Sequence, residues 1–215
     1  MDRQSKSQSV STWTDVLAAA GNKTQLREND GLEFHHLTIR DTATFTRALQ
    51  KNLKHLETYL PPLVAERQVS VLHTRAWIES LLQEKFPSQH FVFTHHGDLC
   101  GFGSTLPISA DPTEVQLRYM VFQGFTGKGI ATRIAKTLEL YAFGVWGFHR
   151  IHIEMDSQNL PSVRVANKLG YRFLGTREYG ISGTKSSGFW YSFVKERPPA
   201  QSPAVLQGKD PGVFT

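Results

Sequence analysis

The chain predicts an α/β protein of the α+β type, built as a mixed, mostly antiparallel, twisted sheet flanked by about four helices. Three observations carry this. Short segments in which apolar and polar residues alternate with period two mark the strands. Longer segments with apolar residues three or four apart mark the helices. Their order is strand, two helices, three strands, helix, strand, helix, two strands, which leaves few parallel crossovers and does not fit a doubly wound nucleotide fold.

Residues 1–30 are polar apart from a helix-like piece at Thr14–Ala20, and read as a partly disordered N-terminal extension. The domain proper spans 31–197. Its first strand is expected to end at Leu37-Thr38-Ile39-Arg40, with Asp41 as N-cap of a helix that buries Phe45, Leu49, Leu53 and Leu56 and stops before Pro61-Pro62. A second helix is predicted from Ser70 as N-cap to Lys85, burying Trp77, Ile78, Leu81 and Leu82, with Pro87 closing it. His90–Thr94 and Leu99–Leu106 read as a hairpin turning at His96-Gly97-Asp98. After the strand, glycine turn and helix of Glu114–Tyr141, His149–Asp156 alternates as a strand. Asn159-Leu160-Pro161-Ser162 opens a short helix with proline in its first turn and Gly170 as its C′ residue. Tyr171–Glu178 and Phe189–Lys195 read as paired strands, and 198–215, rich in Pro, Gly and Gln, as a flexible tail.

The stretch Glu114–Tyr141 organises the chemistry. Val115, Leu117, Tyr119 and Val121 alternate along a strand that runs into Gly124-Phe125-Thr126-Gly127-Lys128-Gly129 and then into a helix carrying Ile130, Ile134, Leu138 and Tyr141. Glycines before a helix start leave backbone N–H groups bare beside the positive end of the helix dipole, which makes a site for an anion such as phosphate. It is not a P-loop, because Lys128 is followed by Gly129 rather than Ser or Thr. Nor is it the dinucleotide fingerprint, whose third glycine is replaced by Thr132 and which belongs to the first βαβ unit of its fold.

Composition narrows the classes. Apolar and charged fractions of 40% and 20% are those of a soluble globular protein. No run of eighteen apolar residues exists to span a membrane, and the polar, serine-rich start is unlike a secretory signal. The single Cys100 excludes an internal disulfide framework, suits a reducing, cytoplasmic setting, and is expected to be buried and inert. A net charge of +5, spread along the chain, suits an anionic cofactor or an acidic partner protein better than direct nucleic-acid binding, for which no dense basic block with interleaved aromatics is present. Adjacent histidines at His35-His36 and His95-His96 would point to opposite faces of a strand, and no ligand set accompanies them, so no metal is expected.

Thr126-Gly127-Lys128-Gly129-Ile130-Ala131 resembles the acyl-CoA loop of the GNAT acetyltransferase superfamily, Gln/Arg-x-x-Gly-x-Gly/Ala, with Thr126 departing from the usual Gln or Arg. Asn159, Ser162 and Asn167-Lys168-Leu169-Gly170-Tyr171 resemble the later motif of that family, in the right order and at the right distance. The paired helices and His55-Leu56 with Tyr59-Leu60-Pro61 resemble the RimJ/RimL-type ribosomal-protein N-terminal acetyltransferase branch, and the likeness covers Phe34 to Lys195. It implies an acetyl-CoA-dependent N-acetyltransferase, acting by direct transfer in a ternary complex on a primary amine. The acceptor it implies is a protein N-terminus, ribosomal or other, with a small amine (polyamine, amino acid or aminoglycoside) or non-catalytic acyl-CoA binding as alternatives. The enzyme would be a monomer or homodimer.

The resemblance also assigns roles. N–H groups from Gly127 to Thr132, through Lys128, Gly129, Ile130 and Ala131, would cradle the diphosphate, with Lys128 adding charge and Thr126 either a hydroxyl or its backbone alone. The pantetheine arm would pair with the strand end at Tyr119, Met120 and Val121, splayed by a bulge from the strand of Ile151–Asp156. Ser162 is the expected proton donor to the departing thiolate, since the position four residues on, where many relatives carry a tyrosine, is Ala166. A helix-capping role for Ser162 is equally open, and Asn159 is expected to cap the helix and orient the cofactor arm. For the general base Glu178 is preferred, with Glu154 and His152 as alternatives.

Overall fold

The computed structural model describes residues 31–58, 69–85, 88–108, 111–180 and 187–198. The expectations for both termini, for Tyr59–Pro62, for Pro87 and for most of the turn between the last two strands lie outside these residues. Seven strands, β1 (Leu32–His36), β2 (Gln89–His95), β3 (Asp98–Pro107), β4 (Glu114–Val121), β5 (Arg150–Asp156), β6 (Arg172–Gly180) and β7 (Ser187–Glu196), form one sheet in the order β1-β2-β3-β4-β5-β7-β6. Every neighbouring pair is antiparallel except the central β4–β5 pair.

The helices are α1 (Thr42–Glu57), α2 (Val71–Leu82), α3 (Ile130–Leu140) and α4 (Leu160–Lys168). They cover the sheet in two layers because the strands are apolar on both faces. On one face, Val115, Leu117, Ile151, Ile153, Met155 and Phe193 pack with Ile130, Ile134 and Leu138 of α3 and Ala166 of α4. On the other, Val92, Phe102 and Phe122 pack with Phe45 and Leu56 of α1 and Ile78 of α2. Each fully buried aromatic or branched aliphatic side chain contributes about 1.5–3 kcal/mol of transfer free energy, so these stripes, not propensity, hold the helices in place.

The expected element order holds throughout. Three local expectations need correction. The first strand ends at His36, not Arg40, because the Asp41 carboxylate accepts from the Thr38 N–H (2.7 Å) and Thr38 Oγ1 (2.9 Å), and this folds Ile39–Asp41 into a 3-10 turn. Asp41 stands at the N-cap position of α1 but its carboxylate points backward and caps no N–H of that helix. Leu82, expected in the core, is exposed at the end of α2. Ser70 does cap α2, accepting from the His73 N–H. Cys100 is buried, donates to the Phe93 carbonyl at 3.3 Å, and burial pushes its thiol up to about 12, which leaves it unreactive.

Candidate active site

The sheet opens at its centre. β4 and β5 share only the register pairs Glu114–Arg150, Val115–Ile151 and Gln116–His152, yet β4 continues to Val121 and β5 to Asp156. β5 instead stays paired with β7 along its whole length, and β4 with β3 from Val115 to Val121. The expected bulge in β4 is absent, since its register with β3 is unbroken. The parting follows from each strand keeping its antiparallel partner after the parallel pairing stops.

The closed end is tied electrostatically. The Glu114 carboxylate meets the Arg150 guanidinium and lies 2.8 Å from His152 Nε2, while Arg150 Nε donates to Glu196 at 2.8 Å. His152 is thereby bound away from the opening.

At the open end, β4 delivers the chain through a 3-10 turn (Gln123–Phe125) to the glycine turn and α3. Gly127 and Gly129 have φ of +73° and +77°, the left-handed region that costs other residues about 1–2 kcal/mol, and no atom stands within 4 Å of where a Cβ would project. Gly129 is the N-cap and supplies no side-chain cap, so the first helical N–H groups keep no intrahelical partner. The surface from Thr126 to Gly129 is exposed. This is an open, positively polarised cradle of backbone donors, which fits an anionic diphosphate. The side chains contribute less than expected. Lys128 Nζ donates back to the Gly124 carbonyl (2.9 Å) and sits over the Phe125 ring, while Thr126 Oγ1 donates to the Gln123 carbonyl (2.9 Å). The Ile130 side chain is buried, so only its backbone faces the turn; Ala131 and Thr132 are half-buried.

Met120 and Val121 are half-buried on opposite faces of the β4 end, and the Val121 carbonyl accepts from His55 Nε2 (3.3 Å), which pins α1 to the strand end. Across the opening, Asn159 Oδ1 accepts from the Ser162 N–H at 3.2 Å, so Asn159 caps α4. The Ser162 hydroxyl is therefore not the cap. On the same α3/α4 side, the Tyr119 hydroxyl is buried without a hydrogen-bond partner among the described residues, and burial pushes it up to about 12 against a smaller downward pull from Ser162.

The opposite face of the opening belongs to Glu154, two residues beyond the last β4–β5 pair. Its carboxylate accepts from Gln116 Nε2 (3.2 Å) and Ser192 Oγ (3.1 Å) and lies 3.7 Å from Arg177; Gln116 Oε1 in turn accepts from Arg118 Nε (3.2 Å). Asp156 shares this face, but its Oδ1 is turned to the Gln158 N–H. Glu178 stands elsewhere. It is exposed on the outer strand β6, opposite Phe189 and on the α4 side of the sheet, and β7 lies between it and the opening. The structure thus groups Met120, Val121, the glycine turn, Asn159 and Ser162, and leaves Glu178 apart. Gln116, Arg118, Arg177 and the Tyr119 hydroxyl were not singled out from the sequence. Strand alternation from Val115 was the signal that separated the faces, but it gave no sign of which strands part.

The family described as acetyltransferase (GNAT) domain matches residues 32–172. The chain belongs to the GNAT acetyltransferase family. The matched residues run from the start of β1 to the start of β6 and include the parting strands and the glycine turn. Spermidine N(1)-acetyltransferase of Escherichia coli (strain K12) is 26% identical over 97 residues, covering 44% of this chain and 52% of that protein, so the chain spans about half the length of the curated relatives it matches. Among solved structures, a ribosomal-protein alanine acetyltransferase from Vibrio fischeri superposes with a TM-score of 0.68 at 19% identity, over 80% of this chain and 96% of that one. The ribosomal α-N-protein acetyltransferase RimL, in complex with coenzyme A, gives a TM-score of 0.68 at 17% identity, over 79% of this chain and 97% of that one. At these identities the two superpositions establish the shared fold. No helix among the described residues is long and apolar enough to cross a membrane.

Proposed function

We propose that this GNAT domain is an acetyl-CoA-dependent N-acetyltransferase whose acceptor is the α-amino group of a protein N-terminus, and that it works in the cytoplasm. The parting of β4 and β5 beyond Gln116 and His152, directly above an open glycine turn, is the observation that carries this reading. It offers one continuous path, with anion donors at one end and a free strand edge at the other. The N–H groups from Gly127 to Thr132 would hold the diphosphate, and the backbone of Met120 and Val121 the pantetheine arm, much as a strand accepts a neighbour. Relatives of this fold are described with coenzyme A or acetyl-CoA bound, which supports the same donor here.

Transfer needs the amine lone pair to attack the thioester carbonyl carbon, forming C–N as C–S breaks. An N–H at the end of β4 would stabilise the charge on the carbonyl oxygen. Ser162 would donate to the departing sulfur. Glu154 is our choice of base, acting through water, because it lies beyond the last β4–β5 pair, whereas His152 belongs to that pair and is held by Glu114; Glu178 would require reach past β7. An α-amino group, with a pKa near 8, loses its proton more readily than a lysine side chain.

The ribosomal-protein acetyltransferases among the structural neighbours support a protein N-terminus. The spermidine acetyltransferase relative supports a polyamine as the second reading. Against the polyamine, Glu154 is flanked by Arg118 and Arg177, which would repel an acceptor carrying several ammonium groups. Rates of CoA release with an N-terminal peptide lacking lysine, the same peptide N-terminally blocked, and spermidine decide between them. The first acceptor alone should be active; faster turnover of spermidine would establish the second reading.

A further inference from the structure

We infer that the acceptor chain carries an acidic side chain within its first few residues, and that Arg118 and Arg177 select it. The inference rests on the N-terminal acetylation reading above and narrows the substrate class of that same site. Apolar contacts with α1 and α2 reach β2, β3 and, through Met120, the end of β4. Strand alternation puts Gln116 and Arg118 on the same face as Met120, and there the sheet turns polar. Glu154 of β5, Ser192 of β7 and Arg177 of β6 continue it. The two guanidinium groups reach Glu154 from opposite sides. Arg118 does so through Gln116, which is buried and bonds to both, and Arg177 stands 3.7 Å from the carboxylate.

Neither arginine is consumed by these contacts. Arg118 is exposed and, among the described residues, gives only its Nε, at 3.2 Å to Gln116 Oε1. Its terminal N–H groups keep the fork that meets a carboxylate with two parallel hydrogen bonds. Arg177 is 67% exposed, and 3.7 Å exceeds hydrogen-bond distance, so its pair with Glu154 is a solvated one that an incoming carboxylate can replace. Arg150 differs: Glu114 and Glu196 bind it from two sides, and it serves the closed end. Other groups on the face do not supply the matching anion. Glu114 is shared by Arg150 and His152, and Asp156 turns Oδ1 to the Gln158 N–H. Arg172, which its register with Val194 puts on this face, is exposed and adds a further cation. Beyond the closed end, then, the described strands carry Arg118, Arg172 and Arg177 on this face against Glu154 and Asp156. An extended chain advances about 3.3–3.6 Å per residue, so with its α-amino group at Glu154 the second and third side chains lie within an arginine's reach. The excess positive charge favours a carboxylate there and disfavours Lys or Arg.

The test is kcat/KM for three lysine-free peptides of one sequence, carrying aspartate, asparagine or arginine at both the second and third positions. The aspartate peptide should exceed the asparagine peptide about tenfold, the worth of one hydrogen bond between charged groups, and the arginine peptide should be slowest. The advantage should shrink as salt is raised. Arg118→Gln and Arg177→Gln should each cut the aspartate-to-asparagine ratio by about threefold or more, with the thermal midpoint kept. Changing both arginines to glutamate should reverse the order in favour of the arginine peptide. Arg75→Gln, which removes the same charge from α2, should leave the ratio at its wild-type value. If the arginines only orient Gln116 and Glu154, their loss will slow all three peptides alike and leave the ratios as they were, which would overturn the inference. Equal rates for aspartate and asparagine in the wild type, or an equal loss of preference in Arg75→Gln, would overturn it too, and each of these results leaves N-terminal acetylation standing. Failure of every peptide with a free N-terminus would remove the acceptor reading and this inference together.

Discussion

At the residue scale the account depends on backbone more than on side chains. Thr126 and Lys128, the two side chains that motif reasoning placed on the diphosphate, are both hydrogen-bonded back into their own turn. The donors that remain are N–H groups, and their direction is set by the left-handed conformations of Gly127 and Gly129. Gly129→Val should therefore weaken CoA binding at least tenfold in a calorimetric titration, by straining the turn by about 1–2 kcal/mol and shifting the N–H groups. Lys128→Met should cost less, since that ammonium is already engaged. The Ser162 hydroxyl has the opposite character. It is released from capping by Asn159, so Ser162→Ala should lower kcat by tenfold or more with little change in acetyl-CoA affinity, measured by steady-state kinetics beside a binding titration. An unchanged kcat would return Ser162 to a structural part.

At the scale of elements, β4 is positioned by β3 and α3 together. A Cβ at Gly101 would lie 2.6 Å from the Met120 carbonyl oxygen and 2.7 Å from Ile134, and one at Gly103 would meet Leu138 at 2.8 Å. Gly101→Ala should thus displace the strand end proposed to hold pantetheine, lowering both the thermal midpoint and CoA affinity. Gly103→Ala presses on side chains of α3, away from that end, and should lower stability with affinity kept. Most elements were legible in the sequence because burial imposes their periodicity: Val115–Val121, Ile151–Met155 and Ile130–Leu138 each show the face they bury. The opening was not, because pairing is a property of two strands. Nothing in Gln116 or His152 announces that their pairing is the last. Glu178 was preferred as base from the family resemblance, which carries no information on sheet order in this chain. Its position along the chain is close to the motif, but sheet order inserts β7 between β5 and β6. The cap at Asn159 was legible because a helix start is a local event.

At the scale of the molecule, one parallel pair in an otherwise antiparallel sheet creates the site, and the two helical layers separate its approaches. The α3/α4 side carries the glycine turn, Ser162 and Tyr119; the α1/α2 side carries Glu154, Gln116 and Arg118. Global stability should depend on pH through His90, which is buried beside Phe102. Burial lowers its pKa below 6.5 in spite of Glu84 at 3.3 Å. The unfolded chain then takes up a proton near pH 6.5 that the folded protein refuses until lower pH, so stability should fall as pH drops below about 6.5 and level off beneath the folded pKa. Thermal melts between pH 7.5 and 5 should show this slope, and His90→Phe should flatten it. The central claim, that the opening between β4 and β5 takes acetyl-CoA and presents its acetyl group to an amine, is tested most directly by thiol release from acetyl-CoA mixed with a peptide whose single amine is its N-terminus. The account predicts release that requires the free N-terminus and is lost in Gly129→Val; acetyl-CoA that fails to bind, or binds and releases no thiol with any amine, would contradict it.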